Sequence, residues 1–174
     1  MNTWHIDAAH SEVGFTVKHL LISTVRGRFG TFEGALTATD ETFSDAKLSF
    51  SADTASITTN NAMRDAHLQS PDFFDGANNP KVMFVSKSFT KNGENTFTAV
   101  GDFTMRGVTK EIAINAILNG SVVDAYGKKV VSFDVSGTIK RTDFGVNWNA
   151  ALEAGGVAVS EDVTLEATIE LKQE

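Results

Sequence analysis

An all-β fold of antiparallel strands is predicted, and three observations carry it. Apolar and polar residues alternate with period two in segment after segment. Short turn sequences separate those segments. The stretch around residues 60–70 breaks the alternation and reads as a helix of two to three turns.

The alternation begins with Val13, Phe15 and Val17 against Glu12, Thr16 and Lys18. Ala46, Leu48, Phe50 and Ala52 form the next row, followed by Phe97, Ala99, Gly101, Phe103 and Met105, with Val100 out of step. Ile112, Ile114, Ala116 and Leu118 precede Val131, Phe133, Val135, Gly137 and Ile139. The cleanest row closes the chain: Val163, Leu165, Ala167, Ile169 and Leu171. Strands with one dry and one wet face suit an antiparallel sheet. Asn92-Gly93 and Arg106-Gly107 are read as hairpin turns, Asn119-Gly120 as the start of a polar loop running to about Lys128, and Gly155-Gly156 as a further break. Residues 19–24 are read as a short helical or irregular turn. Asn60 and Asn61 offer helix caps before Ala62, and Pro71 closes the helix behind Ser70.

About eight strands and one helix fit a sandwich or a barrel. The long segment Val25–Thr39 favours closure, because Gly27, Gly30 and Gly34 offer bend positions along a strand that curls from one side to the other. With no repeat, linker or low-complexity tract, residues 1–174 are expected to form a single domain.

Composition narrows the function. Fifteen basic against 22 acidic residues give a net charge of −7, which argues against nucleic-acid binding and against adsorption to an anionic membrane surface. No stretch approaches the ~18 apolar residues of a spanning helix, so no stable membrane insertion is expected. The absence of cysteine removes thiol nucleophiles, Cys-ligated zinc and iron–sulfur clusters. Met1–Asp7 has neither the basic region nor the apolar run of a secretory signal. A cytoplasmic location is expected of the chain as written, and a periplasmic one if it is a trimmed mature form.

Candidate chemistry is sparse. His5, Asp7 and His10 could contribute to a metal site, but no further ligands recur at a known spacing, and a polar strand end is the plainer reading, so no metal is assigned. Ser11 beside His10 is no triad, no G-x-S-x-G elbow occurs, and acid pairs such as Glu161-Asp162 sit where strands begin or end. No catalytic residue and no cofactor are assigned. Arg26, Arg28, Arg64, Arg106 and Arg141 are scattered along the chain, and salt bridges are the usual fate of such residues. Thirteen Phe against one Tyr point to a thick core or to an apolar cavity. Small residues within the apolar rows (Ala99, Gly101, Ala116, Gly137, Ala167) fit either.

Several segments together resemble the YceI-like family of lipid (polyisoprenoid)-binding proteins. They are Trp4-His5-Ile6-Asp7 with His10-Ser11, Phe15 to His19, Gly27-Arg28-Phe29 with Phe32-Glu33-Gly34, and Ser56 to Thr59. Arg64-Asp65-Ala66-His67-Leu68, Asp72-Phe73-Phe74-Asp75, Pro80 leading to Phe84, Gly101 to Lys110, and Arg141-Thr142-Asp143-Phe144-Gly145 follow in the family's order. The resemblance spans almost the whole chain. It implies a lipocalin-like antiparallel β-barrel of about eight strands, with a long apolar tunnel for an isoprenoid or similar chain. It also implies a binding protein rather than an enzyme, in a family with many exported members.

On that footing the tunnel walls are expected at Phe15, Val17, Phe50, Phe84, Phe103, Ile114, Phe133 and Ile169. Arg64 and His67 on the short helix, with Phe73 and Phe74 beside them, are expected at the mouth. Holding the helix across the barrel end is the alternative role for Arg64 and Asp65. The expected function is non-enzymatic sequestration of a long-chain isoprenoid, quinone or fatty lipid. The rivals are an enzyme acting on such a lipid and a stress-response interaction module with a filled core. The residues specify no oligomer, although a homodimer through a rim or an edge is compatible with them.

Overall fold

The period-two rows become strands almost one for one. The structure, a computed structural model, describes residues 1–152 and 156–174. Among these, eleven strands form one antiparallel sheet: β1 (Asn2–Ile6), β2 (Glu12–His19), β3 (Ser23–Phe29), β4 (Phe32–Ala38), β5 (Lys47–Asp53), β6 (Ile57–Thr58), β7 (Lys81–Lys91), β8 (Thr96–Met105), β9 (Val108–Val123), β10 (Lys129–Lys140) and β11 (Val159–Gln173). The helix α1 (Ala62–Gln69) lies between β6 and β7. Eight strands close a ring in the order β1-β4-β5-β7-β8-β9-β10-β11, with β11 returning to β1. The fold is therefore the expected closed antiparallel barrel with one short helix.

The other three strands extend the wall upward. β11 pairs with β1 near its C-terminal end and with β2 nearer its start, so β2 stands end to end with β1. In the same way β3 continues β4, and β6 continues β5. Three breaks therefore fall side by side: a 3₁₀ turn at Ala8–His10, the step at Gly30-Thr31, and a 3₁₀ turn at Thr54–Ser56. Backbone bonds from Gly30 N to Ser56 O (3.0 Å) and from Asp53 N to Thr31 O (2.9 Å) stitch the second and third together.

Two expectations are corrected here. Val25–Thr39 is not one curling strand but β3 and β4, interrupted at Gly30-Thr31. Asn119-Gly120 does not open a loop. β9 runs on to Val123, the register with β10 slips between Leu118 and Gly120, and the turn proper is Asp124 to Lys128. A bulge absorbs the turn-like dipeptide inside a long strand. Arg106-Gly107 does form the two-residue hairpin, both residues at positive φ as a type I′ turn requires. Of the expected Gly155-Gly156 break, Gly155 lies outside the described residues, and Ala151 pairs with Val157 in an isolated bridge around it.

The ring closes through only three residue pairs: Trp4 with Gln173, His5 with Lys172, and Ile6 with Leu171. Side chains reinforce this short seam where the wall passes from β1 to β2. The Asp7 carboxylate accepts from Lys172 Nζ (2.6 Å) and from Ala9 N (3.1 Å), and lies 2.8 Å from His10 Nδ1. The Ser11 hydroxyl accepts from Glu170 N at 2.9 Å. Lys172 and then His10 hold the Asp7 carboxyl down at about 2.

The lower end is plugged by an aromatic cluster. Phe43, in the β4–β5 loop, is 1% exposed and packs edge-on against Trp4 and Phe133, and Phe133 in turn meets Phe97. An ion pair between Glu41 and Lys129 fastens this loop to the foot of β10.

The upper end is covered by α1, the segment to Pro80, and a strap running from Arg141 toward β11. Asn61 caps the helix by accepting from Arg64 N at 3.0 Å. No helix residue is fully buried, so polar tethers hold it. Asp65 accepts from Thr59 N (2.8 Å) and Gln69 donates to Thr54 O (2.6 Å). The strap is organised by Arg141, only 4% exposed. Its Nε donates to Ser160 O (2.8 Å), Nη1 to Val146 O (2.9 Å) and Trp148 O (2.8 Å), and Nη2 to Val159 O (3.3 Å). Burial draws its pKa below the ordinary guanidinium value, and Glu161 acts in the opposite sense.

Two predictions follow from the seam and the strap. The folded-state pKa of Asp7 is depressed, so its contribution is complete above about pH 4 and disappears as the pH falls toward 2. Asp7→Asn is expected to be less stable than wild type near neutrality, with the two melting temperatures converging at the acid end; parallel pH profiles would refute this. Arg141→Met would strand buried carbonyls at about 1–3 kcal/mol each. It should lower the unfolding free energy by about 3 kcal/mol or more in denaturant titration, with Arg141→Lys recovering only part for want of the planar fork.

Candidate functional site

The inward rows enclose a void. Above the aromatic floor and beneath the helix and strap lies a cavity of about 240 Å³. For scale, a hydrocarbon-lined cavity of roughly 150 Å³ stays dry and binds benzene. Large side chains set its outline, and Ala99, Ala116 and Ala167 on β8, β9 and β11 keep it open. Of the small residues in the rows, Gly101 and Gly137 are not among the lining. Phe15 enters from β2 with its ring lying over Gly27, where a Cβ would come within 2.3 Å of Phe15 Cζ. That close approach requires glycine and lets the ring serve as wall.

Ten of the twelve residues expected at the site line this cavity: Phe15, Val17, Phe50, Phe73, Phe74, Phe84, Phe103, Ile114, Phe133 and Ile169. Phe15 meets Phe74 at 6.5 Å between ring centres, which joins the barrel wall to the cap. Arg64 and His67 lie outside the lining. The Arg64 guanidinium donates to Thr59 Oγ1 and Thr59 O, each at 2.7 Å, which is the helix-holding role. His67 Nε2 lies 2.9 Å from Asp72 Oδ2, and its ring stands edge-on to Phe73 and Trp148 at 5.0 Å. Through Arg64 Nε and Nη2 and His67 Nε2 the pair fastens α1 to its neighbours. Leu68 is the residue the helix contributes to the lining.

Polar groups at the cavity are few. Among the described residues lining it, Ser49, Glu166 and Arg141 carry polar side chains. Ser49 and Glu166 are exposed, and Arg141 is tied to backbone carbonyls. The remaining wall is hydrocarbon and aromatic ring. Asp7, His10 and Glu170 do converge, but Lys172 Nζ already takes the Asp7 oxygen that a cation would use. His5 stands apart, facing Glu174 at 3.6 Å. The cluster reads as the seam's ion pair.

Sequence reasoning missed Arg141 and Val146 in the lining, and Trp148 beside Phe73. Arg141 follows Val131, Phe133, Val135, Gly137 and Ile139 at the same parity, so the row itself pointed it inward. Its charge spoke against that reading. Val146 and Trp148 sit in an irregular strap without periodicity, where no pattern marks them.

Known proteins agree with this architecture. The family model described as YceI-like domain matches residues 4–171. UPF0312 protein SA2479 of Staphylococcus aureus (strain N315) is 39% identical over 171 residues, covering 98% of this chain and 97% of that protein. The crystal structure of the Campylobacter jejuni YCEI protein superposes with a TM-score of 0.79 at 32% identity, covering 97% and 96% of the two chains. A polyisoprenoid binding domain from Saccharophagus degradans shares the fold, with a TM-score of 0.67 at 15% identity over 98% of each chain. With the family model spanning nearly all of the barrel and a close relative matching end to end, this chain belongs to the YceI-like family.

Proposed function

We propose that this protein is a non-enzymatic carrier that sequesters the apolar tail of one long-chain isoprenoid or similar lipid inside the barrel. The observation that carries the reading is the closed wall around a cavity of about 240 Å³ whose lining is almost wholly apolar. Each buried methylene contributes about 0.8 kcal/mol. Ten carbons therefore give a gross gain of about 8 kcal/mol, which corresponds to micromolar binding before the tail's ordering cost. The ten lining residues named above are the proposed tail contacts, with Phe73 and Phe74 closing over the tail at the capped end. The polyisoprenoid binding domain of the same fold supports an isoprenoid as the class of chain. The non-enzymatic reading is supported by the scarcity of polar groups: acid–base or nucleophilic chemistry needs a polar group within reach of the reacting atom, and Arg141 has most of its donors engaged.

Mass spectrometry of lipid extracted from natively purified protein is expected to recover an isoprenoid or fatty chain. Recovering none, together with no binding of a fluorescent fatty-acid probe, would overturn the carrier reading. Incubation of the recovered lipid with fresh protein is expected to leave it chemically unchanged; turnover would replace the carrier with an enzyme. Ala116→Phe should fill the void from β9, cutting recovered lipid and probe binding while costing at most about 1–3 kcal/mol of stability.

A further inference from the structure

The β2–β3 turn presents an apolar tip to solvent. Leu20, Leu21 and Ile22 are 38%, 62% and 85% exposed. Leu20 and Leu21 both take positive φ, +53° and +61°, a conformation that glycine or asparagine adopts far more cheaply. Packing among the described residues therefore does not account for bulky apolar residues here. The tip is nevertheless held in place. Leu20 N donates to Ala158 O (2.9 Å), Ile22 N to His19 O (3.2 Å), and the Ser23 hydroxyl to His19 O (3.2 Å). Leu21 lies close to Gly156, and the next residue, Val157, is itself 39% exposed.

Position and charge indicate the partner. Val17, three residues before Leu20, lines the cavity, so the tip stands on the rim of the capped end, about 10 Å beyond it at strand spacing. The chain carries −7 overall, yet no carboxylate occurs between Glu12 and Glu33, a stretch holding Lys18, Arg26 and Arg28. Lys18 and His19 lie immediately behind the tip. The Lys18 ammonium donates to the Thr24 hydroxyl (2.9 Å), and Arg26 reaches Glu166 only at 4.0 Å; on the neighbouring strand Asp162 is opposed in register by Lys140, and the Glu161 carboxylate accepts from the Thr142 hydroxyl. An apolar point with the cations Lys18 and Arg26 behind it matches the boundary between acyl chains and anionic headgroups.

We propose that the Leu20-Leu21-Ile22 tip docks the barrel reversibly, capped end first, onto an anionic phospholipid leaflet, where lipid is exchanged between bilayer and cavity. The exchange role rests on the carrier reading; the docking does not. The overall negative charge opposes adsorption in other orientations and so directs this one. Burial of three side chains without a spanning segment gives a contact that forms and releases.

Vesicle flotation tests it, using phosphatidylcholine alone and phosphatidylcholine doped with phosphatidylglycerol. Wild type is expected to float with the doped vesicles, more weakly with phosphatidylcholine alone, and less as salt rises. Leu21→Asn/Ile22→Ser should lose at least about tenfold in partitioning. Asparagine tolerates the left-handed position, so this variant is expected to keep the wild-type fold. Val122 and Tyr126, 65% and 91% exposed, lie at the opposite end, so Val122→Ser/Tyr126→Ser should float like wild type. The proposal is overturned if wild type stays with the bulk, if the tip variant floats equally well, or if the opposite-end variant loses binding to the same extent. Extracted lipid is measured on the same preparations: cargo retained with docking lost removes the docking proposal alone, whereas docking retained with no cargo removes the carrier reading alone.

Discussion

Three residue pairs between β1 and β11 turn a meander into a closed wall, and the rest of the molecule depends on that closure. Without it the sheet would carry two free edges, and water would reach the inward rows from the side. With it those rows face only one another. So short a seam draws on side chains, and Asp7, His10, Ser11 and Lys172 supply them along the step from β1 to β2. The polar sequence from Trp4 to Ser11 is thereby accounted for. It closes the barrel, and its histidines and aspartate need no catalytic or metal role to explain their presence together.

The void is held open by choice of side chain. At roughly 24 cal/mol per Å³, an empty space of about 240 Å³ represents about 6 kcal/mol of forgone packing. That is comparable to the whole stability of a typical domain. Larger residues at Ala99, Ala116 or Ala167 would recover part of it, so small residues at three inward positions are costly unless something else fills the space. A hydrocarbon tail would do so. The occupied barrel would then have the packing density that the bare chain lacks.

Much of this was legible in the residues. Strands with continuous alternation, such as β10 and β11, read directly, because a half-buried strand has a strict period of two. The helix read directly too, since Asn61 and Pro71 bracket it. The pattern failed where the chain changes phase. Inward residues on β3 and β4 run Gly27, Phe29, then Leu36, Ala38, switching from odd to even across Gly30-Thr31, so the segment showed no single alternation and only its glycines hinted at a bend. The cavity itself was not legible, because alternating large and small residues fit a packed core equally well. Nor were the partners of Arg64 and His67: a charged residue on a short capped helix looks the same in sequence whether it faces a ligand or a neighbouring threonine or aspartate.

That odd–even switch occurs at all three neighbouring breaks. Trp4 and Ile6 point inward below the first, and Val13, Phe15 and Val17 above it; Phe50 and Ala52 point inward below the third, and Ile57 above it. Because adjacent strands switch together, their pairing survives. An insertion or deletion of one residue at a single break would not be neutral, unlike a length change in an ordinary surface loop. At the first break it would rotate Phe15 and its row toward solvent while the flanking segments stayed in place, so each of the three points is expected to accept only those length changes that keep its upper row facing inward.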